Sequence, residues 1–292
     1  MPPVSELVTR TRELAARLTA RRTAPIGEEY TGPVLMEGQA SAELVAQRLV
    51  PLMLARRPPD ADNLRATQLA QSQVTPFLTR IGLRVLSDAF SVSDTPSLKQ
   101  YEGRPVPGAY AVDNEGVPAK DVTLVENGKL LTLLTGRTPQ KKLLQSNGHG
   151  RGGGPEAGVF QVRSAQAMPF SDLKKKYLEL LAVQDKPFGY IVRQIGTFSG
   201  PGAAGPAIIE IARVTPEGVE MPVRGLRFAA IAPTTFRNIL DASEERVLYN
   251  YIVGAGDTVS TIVPSMVYEE LEIQQTKDIV QKPPIVPSPL KD

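Results

Sequence analysis

The sequence predicts an α+β fold in which antiparallel sheets dominate and a few helices pack on them. Three observations carry this. Proline and glycine are frequent, 26 and 24 of 292 residues, which implies many turns and short elements. Asn127-Gly128 lies between the apolar runs Val122–Val125 and Leu130–Leu134; this pair suits the positive backbone angles of a two-residue hairpin turn. Helical periodicity is confined to short windows at 4–22, 41–50, 171–182 and 234–242, against a strand-like remainder.

The elements follow in order. Val4, Leu7, Val8, Leu14, Ala15 and Leu18 fall near one stripe of a helix over 4–22, with Arg10, Arg12, Arg17 and Arg21 largely off it, and Pro25 and Gly27 end it. Thr31 to Met36 is a short apolar strand. Ser41 is placed to cap a helix with the apolar face Leu44, Val45, Leu49 and Leu52. Pro51 lacks the donor that the end of that helix needs. Arg56 to Asp60 is a turn, and 61–80 is polar and weakly patterned. Ile81 to Val92 reads as extended, with Asp88 and Asp94 bracketing its end. After the Asn127-Gly128 hairpin, a second is expected from Ala207–Val214 and Val219–Phe228 through Pro216-Glu-Gly218. Helices are expected at 171–182, capped by Ser171, and at 234–242, capped by Thr234 or Thr235. Met266 to Ile273 is a late strand. The domain is expected over 1–275. Residues 276–292, with Pro283, Pro284, Pro287 and Pro289, are expected as an extended tail.

Composition excludes several chemistries. The chain has no Cys, so disulfides, thiolate catalysis and Cys-ligated zinc are out. It has a single His, His149. The net charge of +2, from 33 basic and 31 acidic residues, lacks the basic excess of a nucleic-acid partner. The clusters Arg21-Arg22, Arg56-Arg57 and Lys174-Lys175-Lys176 read as solvated helix ends. No apolar run reaches the length of a membrane span and no signal peptide is visible. The expected setting is soluble and cytoplasmic, without membrane attachment.

Five segments follow one another in this order: Tyr30-Thr-Gly-Pro-Val-Leu-Met-Glu-Gly-Gln39 with the helical run after it, Phe77 to Asp88, Val112-Asp-Asn-Glu-Gly-Val-Pro-Ala119, Thr123-Leu-Val-Glu-Asn-Gly-Lys-Leu130 and Gln145-Ser-Asn-Gly-His-Gly-Arg151. Together they resemble the TldD/PmbA family of metallopeptidases. The resemblance covers the family's C-terminal half. It implies the family's α+β fold and zinc-dependent cleavage of flexible peptides. That chemistry uses a His-Glu-x-x-x-His helix, the Glu acting as general base on a metal-bound water. Here the motif reads Ala46-Gln-Arg-Leu-Val-Pro51 without gaps, or Ala42-Glu-Leu-Val-Ala-Gln47 if shifted by one turn. Neither register holds a His. Gln47, in place of the Glu, cannot take up a proton. Glu37 and Glu43 are the carboxylates near the helix.

Within the family the resemblance is to the PmbA (TldE) type, which lacks the metal motif and pairs with a metal-bearing subunit. It implies a degenerate, non-catalytic subunit that binds extended peptide. Its partner would be a zinc-bearing TldD-like chain or a second copy, with zinc only on the partner and no cofactor of its own. Two rivals stay open: a stand-alone binding or assembly protein, and an active metallopeptidase with unrecognised ligands.

The most unusual local composition is Ser146-Asn-Gly-His-Gly-Arg-Gly-Gly-Gly-Pro155. As a functional loop it would offer Asn147, His149 and Arg151 to a peptide or an anion; the plainer reading is a connection between strands. No Gly-Lys-Ser/Thr follows, so it is not a phosphate loop. Gly196 to Pro206 is a second small-residue loop, read as a turn. Ser199 and Ser260 lack the neighbouring base that a nucleophile requires.

Overall fold

One strand, β15 (Asp257–Gln275), organises the molecule. The computed structural model describes residues 3–56, 76–140, 142–197, 205–254 and 256–276. Helix α1 is Val4–Thr23, β1 is Tyr30–Met36 and α2 is Gly38–Leu44. The chain then runs through β2 (Phe90–Asp94), the small hairpin β3 (Gln100–Tyr101) and β4 (Arg104–Pro105), and the hairpin β5 (Val122–Glu126) and β6 (Lys129–Leu130). A further small hairpin, β7 (Gly150–Arg151) and β8 (Gly154–Pro155), precedes β9 (Val159–Ser164) and helix α3 (Phe170–Val183). The rest is β10 (Gly189–Ile195), β11 (Ile208–Val214), β12 (Glu220–Val223), β13 (Leu226–Phe228), β14 (Ile239–Val253) and β15.

The strands of the main sheet run β12-β11-β10-β1-β15-β9-β2-β5-β6, with β13 and β14 also paired to β15. Most pairs are antiparallel, as expected; β1 with β10 and β15 with β9 are parallel. Alternation along β1 and β10 defines two covered faces. Val34, Met36, Tyr190 and Val192 enter the larger core beneath α2. Leu35 and Ile191 point the other way, onto Leu173, Tyr177 and Leu181 of α3. Each such side chain contributes roughly 1.5–3 kcal/mol by leaving water. Farther along that second face, Val159 and Ile262 meet Val106, with Leu98, Tyr101 and Leu248 around them.

The Asn127-Gly128 turn forms as read, with φ of 47° and 76°. The second hairpin also forms, β11 pairing with β12 through the Pro216–Gly218 turn. Other expectations are corrected. Ser41 does not cap its helix: α2 starts at Gly38, after Glu37, and the Ser41 hydroxyl is buried and donates to the Pro264 carbonyl at 2.7 Å. Nor does Ser171 cap α3, which begins at Phe170 after Pro169. The segment 234–242 is a single 3-10 turn, Pro233–Asn238, after which Ile239 and Ala242 are buried as strand residues of β14. Of Ile81–Val92 only Phe90 onward is strand; Gly82 turns the chain at φ 88°. The stripe of α1 is largely exposed: no residue of that helix is buried, and Leu14 and Leu18 only flank a groove beside Ile211 and Pro222. The expected turn after Arg56, most of 61–80 and the proline-rich tail lie outside the described residues, Thr276 apart.

Candidate functional site

The helix after β1 changes pitch where the metal motif would sit. α2 passes into a π turn, Val45–Leu49, and then a 3-10 turn, Val50–Met53. The Val50 N–H bonds the Val45 carbonyl, five residues back. In an α-helix, residues five apart point about 140° away from each other. A π turn brings them onto one side, and such turns concentrate at functional sites. Pro51 suits the break, because it would leave an α-helical carbonyl without its donor.

As a result Ala46 and Pro51 both line one cleft of about 830 Å³. The ungapped register thus has both of its end positions on the cleft. In the shifted one, Ala42 is wholly buried and Gln47 is off the cleft, its amide donating to the Gly196 carbonyl at 3.2 Å. The opposite wall is the β7–β8 hairpin, Arg151 to Glu156, and the end of the β14–β15 hairpin adds Tyr251, Val253 and Asp257.

The groups on these walls do not suit zinc. Ala46 presents a methyl group and Pro51 a ring without a donor. Glu156 is ion-paired with Arg56 at 2.7 Å and Asp257 faces Arg151 at 3.5 Å. Burial pushes the Glu156 carboxyl up from its ordinary range, with Arg56 and the Ala157 N–H pulling it back. Glu43 is likewise raised, first by burial; it accepts from Gln39 at 2.7 Å and from the Ile195 N–H at 2.8 Å. Glu37 pairs with Arg193 at 3.0 Å. Among the described residues no group of three or more His, Asp or Glu side chains could hold a metal.

The loop singled out from its composition forms the wall beneath this cleft. Asn147 accepts the Thr135 N–H at 2.8 Å and donates to the Leu133 carbonyl at 2.9 Å. His149 is wholly buried, with Nε2 at 3.2 Å from Asp94 and Nδ1 at 3.0 Å from the Asn147 side-chain oxygen. Asp94 in turn accepts the Gly158 and Val159 N–H groups. Arg151 donates to the Ala157 and Thr258 carbonyls at 2.8 and 3.0 Å, and its guanidinium lies 4.6 Å from the Tyr110 ring centre. The structure thus joins Asn147 and His149 by a hydrogen bond and sets Arg151 beside them across the Tyr110 ring, and of the three Arg151 reaches the cleft. It also adds Arg56, Glu156 and Tyr251, which the sequence did not mark. Arg56 looked like a solvated helix end, Glu156 lies one residue beyond the glycine-rich loop, and Tyr251 is distant in sequence from any motif. The Tyr251 hydroxyl is buried without a partner, and burial raises it well above its ordinary value, Glu156 and Asp94 adding to the effect.

Comparison with known proteins identifies the fold and the family. The model of the PmbA/TldA metallopeptidase C-terminal domain matches residues 29–275. Comparison with curated protein sequences finds no match. Among solved structures, a protein described as a modulator of a DNA gyrase from Thermotoga maritima superposes with a TM-score of 0.63 at 19% identity, over 86% of this chain and 51% of its own. TldE from Thermococcus kodakarensis gives 0.61 at 16%, over 88% and 53%. A modulator of DNA gyrase from Bacteroides thetaiotaomicron gives 0.61 at 12%, over 90% and 51%. At these identities the likeness concerns the fold, and the chain spans about half the length of each structure. No helix among the described residues is long and apolar enough to cross a membrane. With the family model covering residues 29–275, the chain belongs to the PmbA/TldD metallopeptidase family and carries that family's C-terminal domain.

Proposed function

We propose that this chain is a non-catalytic member of its family, acting in the cytoplasm, which holds an extended peptide in the cleft and pairs with a zinc-bearing TldD-like subunit or with a second copy. The observation that carries the reading is the π turn. Ala46 and Pro51 both line the cleft, and neither side chain carries a donor. This supports reading the stretch as a motif position without its ligands. A Gln at position 47 removes the base as well.

Peptide holding is supported by the walls. Gly152, Gly153 and Gly154 let a peptide backbone approach without side chains in the way. Val50, Pro51 and Leu54 give an apolar floor, and Arg56, half exposed, supplies a charge at the rim. Extended peptides bound in this manner draw affinity from main-chain hydrogen bonds and modest sequence preference from such pockets.

The test has three arms. Metal analysis of the purified chain after incubation with zinc should give well under one ion per chain; a stoichiometric, tightly held zinc would establish the active-enzyme alternative instead. Co-expression with a relative carrying His-Glu-x-x-x-His should give a joint complex that cleaves peptides. If the chain elutes alone and adds nothing to the relative's activity, the paired-subunit reading fails and the stand-alone reading takes its place. Fluorescence anisotropy with unstructured peptides should show binding that a bulky side chain at Gly153, Gly153→Trp, weakens.

A further inference from the structure

On the second face of the sheet, between α3 and the β3–β4 hairpin, two arginines share one neutral acceptor. Arg163 of β9 donates to the Gln161 side-chain oxygen at 3.2 Å, and Arg246 of β14 donates to the same atom at 3.1 Å. Gln161 is only 4% exposed, and its amide nitrogen is fixed on the Thr95 hydroxyl at 2.5 Å. Its oxygen is therefore held outward, and it gathers two guanidinium groups. Arg246 is further held by Tyr101, whose ring centre lies 5.4 Å from the guanidinium carbon and whose hydroxyl donates to the Arg246 carbonyl at 3.4 Å.

Two positive charges held this close repel each other, and an amide oxygen neutralises neither. Burial and the charge of Arg163 both lower the Arg246 pKa. Among the described residues neither guanidinium forms an ion pair with a carboxylate; the closest acidic influence is the exposed Glu102, beside Tyr101. Arg163 is exposed, so the pair is open to solvent. Some buried or half-buried arginines meet acids: Arg193 bonds Glu37 and Glu220 at 3.0 and 2.6 Å, Arg151 faces Asp257, and Arg213 meets Glu28 at 3.1 Å. Others, Arg224 and Arg227, donate to the Ala24 and Gly205 carbonyls. Arg163 and Arg246 differ from both groups in converging on one acceptor atom.

We propose that Arg163, Arg246 and Gln161 form an anion site for a phosphoryl group, separate from the cleft. A phosphate dianion carries the charge that neutralises both guanidinium groups, and its oxygens accept two donor forks at once. A carboxylate matches one fork. The amide of Gln161, fixed by Thr95, keeps the pair convergent before the ligand arrives, so little side-chain freedom is lost on binding. The same chemistry is offered by free inorganic phosphate and by a phosphate monoester on a larger molecule.

Calorimetric titration of the full chain at constant ionic strength tests this with inorganic phosphate, O-phosphoserine and acetate. Saturable binding of phosphate or phosphoserine, with acetate and chloride inert, is the expected result. Equal affinity for the two assigns the site to the free anion, and tighter phosphoserine binding assigns it to a monoester. Arg163→Gln, on an exposed position, should weaken binding about tenfold, the loss of one charge-assisted fork. Glu102→Gln, which removes the nearest opposing charge, should tighten it. Arg246→Gln is read only if its thermal midpoint matches the parent protein. No heat of binding, acetate binding as well as phosphate, or an Arg163→Gln variant that binds unchanged would each overturn the assignment.

Discussion

Ala46 and Pro51 both line the cleft, each one residue beyond a partner of the Val45–Val50 bond that closes the π turn; two imidazoles at i and i+5 can share an ion only if both face one site. Restoring the side chains should restore affinity. The variant Ala46→His/Gln47→Glu/Pro51→His is expected to take up zinc in competition with a chromophoric chelator, though more weakly than a complete ligand set. The pair Ala42→His/Gln47→His, built on the other register, should not, since Ala42 is buried away from the cleft. Equal uptake by both would refute the alignment. A second prediction concerns Glu156. Burial raises its carboxyl above the ordinary value of 4.5. The folded protein thus keeps this proton at pH values where the unfolded chain has lost it. The contribution of Glu156 to stability therefore declines as pH rises from about 4.5 through the raised value. Urea unfolding of Glu156→Gln between pH 4 and 8 should show the variant gaining on the parent across that window and running parallel above it. A pH-independent difference would mean that the carboxylate is not held against its charge.

Helix α1 is the element whose role differs most from its appearance. Its apolar stripe is regular, yet Val4, Leu7, Leu14 and Leu18 are 76, 45, 48 and 54% exposed. It lies ahead of the family match, which begins at residue 29, and its approach to the sheet is slight: Leu14 and Leu18 flank Ile211 and Pro222, and Arg17 pairs with Glu210 at 3.6 Å. A surface ion pair is worth about 0–1 kcal/mol. Removing residues 1–23 should therefore shift the melting midpoint by no more than about 2–4 °C, as followed by circular dichroism; a larger loss would show that the helix supports the sheet. Period alone identified the helix but could not say what it faces. The same distinction governs the rest of the fold. The β5–β6 hairpin was readable because Asn127-Gly128 is a local signal that needs no tertiary context. Of β15 the sequence showed only Met266–Ile273, which forms as read; its earlier part was unreadable because the strand is buried without interruption from Val259 to Tyr268, so it has no alternating pattern to reveal it. The Thr234-Thr235 pair suggested a helix start, but the burial of Ile239 and Ala242 in the sheet outweighed local propensity. The site was half legible. Positions 46, 47 and 51 and the glycine-rich loop could be named from residues, whereas the Arg56–Glu156 pair exists only after distant segments meet.

At the scale of the molecule, β15 joins both ends of the chain. It pairs with β1 from Tyr30↔Ile273 to Met36↔Met266, with β14 from Ile239↔Tyr268 to Val253↔Asp257, with β13 at Phe228↔Ile273 and with β9 at Ser260↔Val159. Two of these contacts, to β1 and β9, span most of the sequence or much of it, and closing such long loops is slow and costly before any contact offsets it. The sheet can therefore complete itself only after the last strand is in place. Its removal would unpair β1 on one side and strip Met266, Val267 and Tyr268 from both cores at once. Large buried residues lost from a core cost about 2–5 kcal/mol each, and a domain of this kind has only about 5–15 kcal/mol in all. A chain ending at Val263 should then lack a cooperative unfolding transition and be digested rapidly by trypsin, whereas one ending at Thr276 should retain both the transition and the resistance. The comparison isolates the strand from the residues beyond it. Should the shorter chain unfold cooperatively, the halves of the sheet on either side of β15 would be independent folding units, and the cleft could not depend on their union.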